Sequence, residues 1–359
     1  MGDRATGQVP NYDLGIGITE GPSRTDFGGA DRETLLVTKS AQLRRCWHPV
    51  AFVSHVGGGP EQRRLLGVDL VVWRSSDNII RAALDRCPHR WAQLSAGTVV
   101  DGRIICPYHG WQFDPTGTAV VIPQLSKSDV IPPTACLEMV ATREAFGMVW
   151  AILDRDEVGP IPTLPEFGDP SFRSIEVSVT RYETNAAAII DNNTDATHVA
   201  FVHAASFGAG QDPMITPPDA HRTPFGIEIS AAELSIAESP DTKEQGSRQT
   251  KTEMWLPFTQ ISRMDYSDGT THILLKGCCP IDDGLTDVHL TVLRNDVENP
   301  ADTEGVIAFE RGVELEDKVV LDGLPAEFPL DVRLQTHVKH DRPGIEYRRA
   351  LADFIYSAG

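Results

Sequence analysis

The chain has 359 residues, of which 41% are hydrophobic and 23% charged, with a formal net charge of −19. That length accommodates two ordinary domains with cores of their own, and the composition is that of a soluble globular protein. The acidic balance argues against binding to a nucleic-acid backbone or an anionic membrane surface, and it suits solubility or a partner that presents a basic patch.

Six cysteines, at 46, 87, 106, 136, 278 and 279, are too few and too scattered for a secreted disulfide scaffold. With no basic n-region before an apolar core and no apolar window of about eighteen residues, neither a signal peptide nor a membrane span is expected. The expected compartment is the cytoplasm.

Residues 1–40 are rich in Gly, Asp, Thr and Arg with little periodicity, and are expected to form a mobile or loosely packed extension. Residues 41–155 read as a first domain of short alternating strands. Leu70 to Trp73 and Ile79-Ile80, around a turn at Ser75 to Asn78, predict one hairpin. Val99-Val100 and Arg103 to Ile105, joined by Asp101-Gly102, predict a second with a favoured turn. The second hairpin joins a C-x-H pair, Cys87 and His89, to a C-x2-H pair, Cys106 and His109. Its strand pairing therefore brings the four side chains together.

Two thiolates and two imidazoles at the tips of two loops suit a Rieske [2Fe–2S] centre, in which the cysteines hold one iron and the histidines the other. Gly110 permits tight backbone approach there, and Pro107 shapes the loop. A tetrahedral zinc site uses the same donors, although zinc motifs more often open with C-x2-C.

A strand over Phe146 to Leu153 closes the domain, and prolines at 160, 162, 165 and 170 make a stiff linker. Residues 156–359 form a second domain: a helical stretch over 184–205, alternating strands over 225–295, and helices over 304–324 and 343–357. Asp191 to His203 crowds Asp, Asn and Thr into the helical stretch, a local rule-breaking that often marks function. Two histidines and one carboxylate leave three adjacent positions open on Fe(II), the arrangement that activates O2. His198 and His203 are the natural pair. Asp317 falls within an apolar stripe of Phe309, Val313, Val320 and Leu324 at helical spacing, whereas Glu310, Glu314, Glu316 and Lys318 fall off it. A carboxylate facing a core needs a compensating cation or a protonated state, and iron supplies the cation.

Cys87-Pro88-His89-Arg90, Leu94-Ser95-Ala96-Gly97 and Cys106-Pro107-Tyr108-His109-Gly110-Trp111 together resemble the Rieske domain of ring-hydroxylating and related oxygenases. Ala92 and Tyr108 stand where the respiratory type carries two further, bridged cysteines, which excludes that type. Trp91-Ala92 departs from the two small residues usual in the oxygenases. Asn192-x2-Asp195-x2-His198-x4-His203 resembles their mononuclear-iron motif. Glu316 to Val320 and Glu346 to Leu351 resemble the vanillate-demethylase-like branch.

The resemblance covers roughly residues 45–359. It implies an α+β protein: an all-β Rieske domain, then a catalytic domain with helices around a curved antiparallel sheet. It implies a [2Fe–2S] cluster on Cys87, His89, Cys106 and His109, and Fe(II) on His198, His203 and Asp317. Asp195 is expected to bridge His198 to His109 of the partner subunit in a head-to-tail homotrimer, and His272 to face the substrate pocket. The implied activity is that of a terminal oxygenase. It would take electrons from an external reductase or ferredoxin and use O2 to hydroxylate or oxidatively demethylate a mainly apolar small molecule.

Three rivals are an aromatic-ring cis-dihydroxylating dioxygenase, a 2-oxoglutarate-dependent oxygenase, and a non-catalytic electron-transfer or zinc-structural protein. The 2-oxoglutarate type usually carries H-x-D/E, and none of the eleven histidines has an acid at that spacing. Gly15-Ile16-Gly17 lacks the third glycine and strand context of a dinucleotide fingerprint, so no nicotinamide or flavin domain is expected.

Overall fold

The structure, a computed structural model, describes residues 34–230, 234–236, 245–297 and 300–356. Most of the extension expected over 1–40 lies outside the described residues. Its last part is not loosely packed: β1 (Thr34–Leu35) pairs antiparallel with a strand near residue 328, and Leu35 and Val37 are buried. The Thr38 amide and hydroxyl both donate to Asp283, at 2.8 and 2.9 Å.

The first domain opens with β2 (His48–Phe52), β3 (Glu61–Leu65), β4 (Val68–Arg74) and β5 (Ile80–Leu84). A small four-stranded sheet follows, of β6 (Thr98–Val100), β7 (Arg103–Ile105), β8 (Gln112–Phe113) and β9 (Ala119–Val121). The chain then returns as β10 (Met139–Ala145) and β11 (Met148–Ile152) to complete a six-stranded antiparallel sheet, β2-β11-β10-β5-β4-β3. Both expected hairpins are present. The β6–β7 turn places Asp101 and Gly102 at φ of 51° and 74°, as its type demands.

The second domain runs β12 (Arg173–Tyr182), α1 (Ala186–Asn192), α2 (Val199–Val202), β13 (Asp219–Thr223), β14 (Gly226–Ser230), β15 (Leu234–Ile236), β16 (Gly246–Trp255), β17 (Thr259–Tyr266), β18 (Thr271–Asp282), β19 (Leu285–Arg294), α3 (Pro300–Leu321), β20 (Phe328–Pro329) and α4 (Arg342–Tyr356). The strands β12-β19-β18-β17-β16-β14-β13 form an antiparallel sheet, with β15 on β16.

Period-two alternation gives this sheet two buried faces. Ile261, Ile273, Leu275 and Leu293 pack against Trp47, Phe52 and Trp150 of the first domain. Ile175, Val177, Leu290 and Val292 pack against Val306 of α3 on the other side. A further cluster joins Val50, Leu65 and Leu70 of the first domain to Ala186 to Ile190, Cys278 and Tyr347 of the second. The approach is close: a Cβ at Gly277 would stand 2.7 Å from Pro49 Cγ.

Two expectations need correction. The helical stretch over 184–205 is broken between α1 and α2. Its short polar side chains bond nearby backbone instead of extending a helix: Asn193 Nδ2 donates to the Ile189 carbonyl at 2.8 Å and Thr194 Oγ1 to that of Asp191 at 2.6 Å. The apolar stripe on α3 does not face the core, since Phe309, Val320 and Leu324 are 49%, 51% and 42% exposed. The buried face is Val306, Glu314, Asp317 and Leu321. It is polar because β12 offers hydroxyls to receive it. Ser178 and Thr180 both donate to Glu314, the latter at 2.7 Å, and Tyr182 Oη donates to the Glu314 carbonyl at 2.9 Å.

Candidate metal centres

Cys87 and Cys106 are buried, and their loops follow one backbone plan. The Cys87 amide donates to the Ala92 carbonyl and that of Cys106 to Trp111, each at 2.9 Å. The Trp91 amide donates back to Cys87, and that of Gly110 to Cys106. Trp91 and Gly110, four residues after their cysteines, both have left-handed backbone, at φ of 57° and 71°. Below them, Asp85 accepts from the Ser95 amide and hydroxyl at 2.8 and 2.6 Å, pinning the Leu94–Gly97 turn.

The His89 and His109 rings meet edge to face at 4.6 Å, and Trp111 stacks on His89 at 4.6 Å. Burial, with Cys106 alongside, pushes the Cys87 thiol up to about 11. Burial, then the neighbouring His109 and Arg90, lowers His89. Nδ1 of both histidines is buried without a hydrogen-bond partner among the described residues. Such an orphaned atom costs about 1–3 kcal/mol, so the pair of lone pairs beside two thiols fits a metal cluster.

The second constellation is assembled from α1, α2 and α3. Asn185 starts α1, its side chain accepting from the Ala187 amide at 3.0 Å and donating to the carbonyls of Leu35 and Ala326. His198 and His203 flank α2. Gly208 folds back beneath it: its amide donates to the His203 carbonyl at 2.9 Å, and a Cβ there would lie 2.1 Å from the Val199 carbonyl oxygen. The ligand atoms of His198, His203 and Asp317 lie within 4.8 Å of one another. His203 Nε2 is 3.2 Å and His198 Nε2 3.6 Å from Asp317 Oδ1. Asn192 Nδ2 donates to the same oxygen at 3.2 Å. Two imidazole nitrogens aimed at one buried carboxylate make a donor set that fits Fe(II).

The two imidazoles are held differently. His203 Nδ1 lies 2.7 Å from Glu316 Oε2, which also accepts from Ser206 Oγ at 2.7 Å. The Ser206 hydroxyl, then His203, hold the Glu316 carboxyl below its usual range. His198 Nδ1 is buried and unpartnered among the described residues, with Asp195 Oδ2 at 3.8 Å. Burial lowers His198, partly opposed by Asp317 and Asp195. The other Asp195 oxygen is taken by the Thr197 amide and hydroxyl.

His272 is not part of the triad. It stands on β18 on the α3-facing side, in the alternation His272, Leu274, Lys276, with Tyr266 at 5.0 Å and Asp296 at 3.7 Å. The neighbouring strands add a run of buried polar groups on that side. Thr252 and Ser262 hydroxyls pair at 2.9 Å, Gln260 Nε2 reaches Ser262 Oγ at 2.7 Å, and Lys276 Nζ reaches Asn193 Oδ1 at 3.3 Å. No motif marked these groups or Ser206, and Glu316, although it opens the segment Glu316 to Val320 that carries the resemblance, falls off the apolar stripe and was given no role of its own. Glu316 adjoins Asp317, and neighbours on a helix do not share a face.

Residues 46–141 match the family model of the Rieske [2Fe-2S] domain, and residues 182–356 that of the vanillate O-demethylase oxygenase C-terminal domain. The chain is 31% identical over 333 residues to methylxanthine N1-demethylase NdmA of Pseudomonas putida, covering 89% of this chain and 92% of that protein. Methylxanthine N3-demethylase NdmB of the same organism is 29% identical over 344 residues, covering 90% and 92%. The solved structure of Pseudomonas putida CBB5 NdmA with caffeine superposes with a TM-score of 0.73 at 26% identity, covering 88% of this chain and 95% of that one.

Proposed function

Because the chain belongs to the Rieske oxygenases with a vanillate O-demethylase-type C-terminal domain, we propose that it oxidatively removes a methyl group from nitrogen on a planar, mainly apolar heterocycle. It is an oxidoreductase that uses a [2Fe–2S] cluster and a mononuclear iron, with electrons supplied by a separate reductase or ferredoxin. The observation that carries the choice of nitrogen is similarity along nearly the whole chain to two N-demethylases.

Cys87, Cys106, His89 and His109 would hold the cluster, and His198, His203 and Asp317 the iron. When bound, these groups supply one-electron relay and O2 activation. Asp195, with one oxygen fixed by Thr197 and the other 3.8 Å from His198 Nδ1, would complete an electron path to His109 of the partner subunit in a homotrimer once that gap closes to a hydrogen bond. The α3-facing side of the sheet would receive the substrate. Leu274 and Met264 give apolar area, and Thr252, Ser262, Gln260 and His272 give a few fixed polar groups. Among the described residues no helix is long and apolar enough to cross a membrane, which suits work in the cytoplasm.

The balanced reaction converts N–CH3, O2, two electrons and two protons into N–H, formaldehyde and water. A C–H bond becomes C–OH, and the N–CH2OH product loses formaldehyde. The test is turnover of N-methylated heterocycles and of methoxybenzoates with a surrogate reductase, following oxygen uptake and formaldehyde. One formaldehyde per O2 from N-methyl substrates is expected. Turnover of the O-methyl compounds alone would move the assignment to oxygen, and a gain of two oxygens without formaldehyde would replace it by dihydroxylation.

A further inference from the structure

His203 is gripped by consecutive acids of one helix. Asp317 faces its Nε2 at 3.2 Å, and Glu316 faces its Nδ1 at 2.7 Å. Residues i and i+1 of a helix point about 100° apart, so an imidazole lying against the α3 surface between them presents one nitrogen to each. The two nitrogens therefore have separate duties. An imidazole that gives its Nδ1–H to Glu316, the closer carboxylate, leaves the Nε2 lone pair on the side of Asp317 and His198.

Glu316 is itself fixed. Ser206, three residues after His203, donates to the same Oε2, so the helix-flanking turn that bears the imidazole also ties down its acceptor. His198 has no equivalent, since Asp195 stands 3.8 Å from its Nδ1, beyond hydrogen-bond reach.

We infer that Glu316 is the positioning residue of the mononuclear centre: it locks His203 as the Nδ1–H tautomer with Nε2 turned toward the metal, making His203 and Asp317 the permanent half of the triad and His198 the adjustable one. This rests on the assignment of His198, His203 and Asp317 as ligands. Glu316 is not a fourth ligand, because its carboxylate meets the nitrogen on the far side of the ring.

The experiment uses the full-length protein with its cluster intact and the mononuclear site stripped by a mild chelator, titrated with Co(II) and followed by its ligand-field absorption. Removing a carboxylate partner of a ligating histidine costs about 10–100-fold in metal affinity. Glu316→Ala is expected to lose that much. Glu316→Gln keeps an acceptor for Nδ1–H and is expected to lose less, and a spectrum of unchanged shape at saturation in both would show an unchanged ligand set. The rhombic signal of the reduced cluster and the melting temperature report folding, and Glu316→Gln keeps the test alive should Glu316→Ala fail to fold. Wild-type affinity in folded Glu316→Ala, or equal loss in both variants, overturns the inference. Absence of stoichiometric Co(II) binding by wild-type protein that retains its cluster overturns the ligand assignment itself.

Discussion

Trp91 and Gly110 occupy equivalent places in the two cluster loops, and only one of them adopts its left-handed backbone without penalty. For a side chain bearing a Cβ that conformation costs about 1–2 kcal/mol. Trp91 recovers part of this through Arg86, whose guanidinium lies 5.8 Å from the ring centroid, yet the indole stays 75% exposed. Trp91→Gly is therefore expected to keep the cluster and to change stability by less than about 1 kcal/mol, the backbone relief offsetting the entropy of a glycine. Gly110→Val, which places a β-branched residue at the equivalent position, should cost about 2 kcal/mol or more and lower cluster content. Thermal melts and the visible absorption of the cluster compare the two. At this scale the cysteines and histidines were legible, because metal chemistry ties ligand type to spacing. Glu316 was not, because its role depends on where a ring from another element comes to rest.

Helix α3 carries both Asp317 and the acid that seats the helix on the sheet. Glu314 is nearly inaccessible and takes hydroxyl hydrogen bonds from Ser178 and Thr180. Leaving a buried hydrogen-bonding group unpaired costs about 1–3 kcal/mol, so Thr180→Val should lower stability by about 2 kcal/mol. It should also weaken iron retention, since the same helix presents Asp317 to the two imidazoles; denaturant melts and iron per chain after dialysis check both. Full stability together with full iron content would remove Glu314 from this role. Periodicity located α3 and α4 to within a few residues and put Asp317 inside, but it misplaced the rest of the core-facing side of α3 by part of a turn. The apolar repeat of Phe309, Val313, Val320 follows its outer side, whereas the side toward the core is occupied by acids that hydroxyls and a metal site can satisfy. Likewise the break between α1 and α2 was written in Asn193 and Thr194, which prefer their own local bonds to a continuing helix.

Across the whole molecule, buried histidines set the acid limit. Burial holds His48 and His289 down to about 4. The unfolded chain would protonate them near 6.5, so between these values it binds more protons than the native state. Their neutral burial contributes fully above about pH 6.5 and is lost as pH falls through 4, roughly 3 kcal/mol each. Melting temperature should be flat from pH 7 to 8 and drop steeply from 6 to 4.5; an unchanged value at pH 4.5 would contradict this. The two-part organisation was legible from the proline-rich linker and the change in strand pattern, but the continuity between the parts was not, because it depends on which sheet faces meet. Val50, Leu65 and Leu70 share a core with Ile190 and Tyr347, and β1 is stitched to β20 near the other end of the chain. A relay built into such a frame has no arm to extend: for its tip to swing toward any acceptor, the apolar side chains packed between the halves would have to open to water.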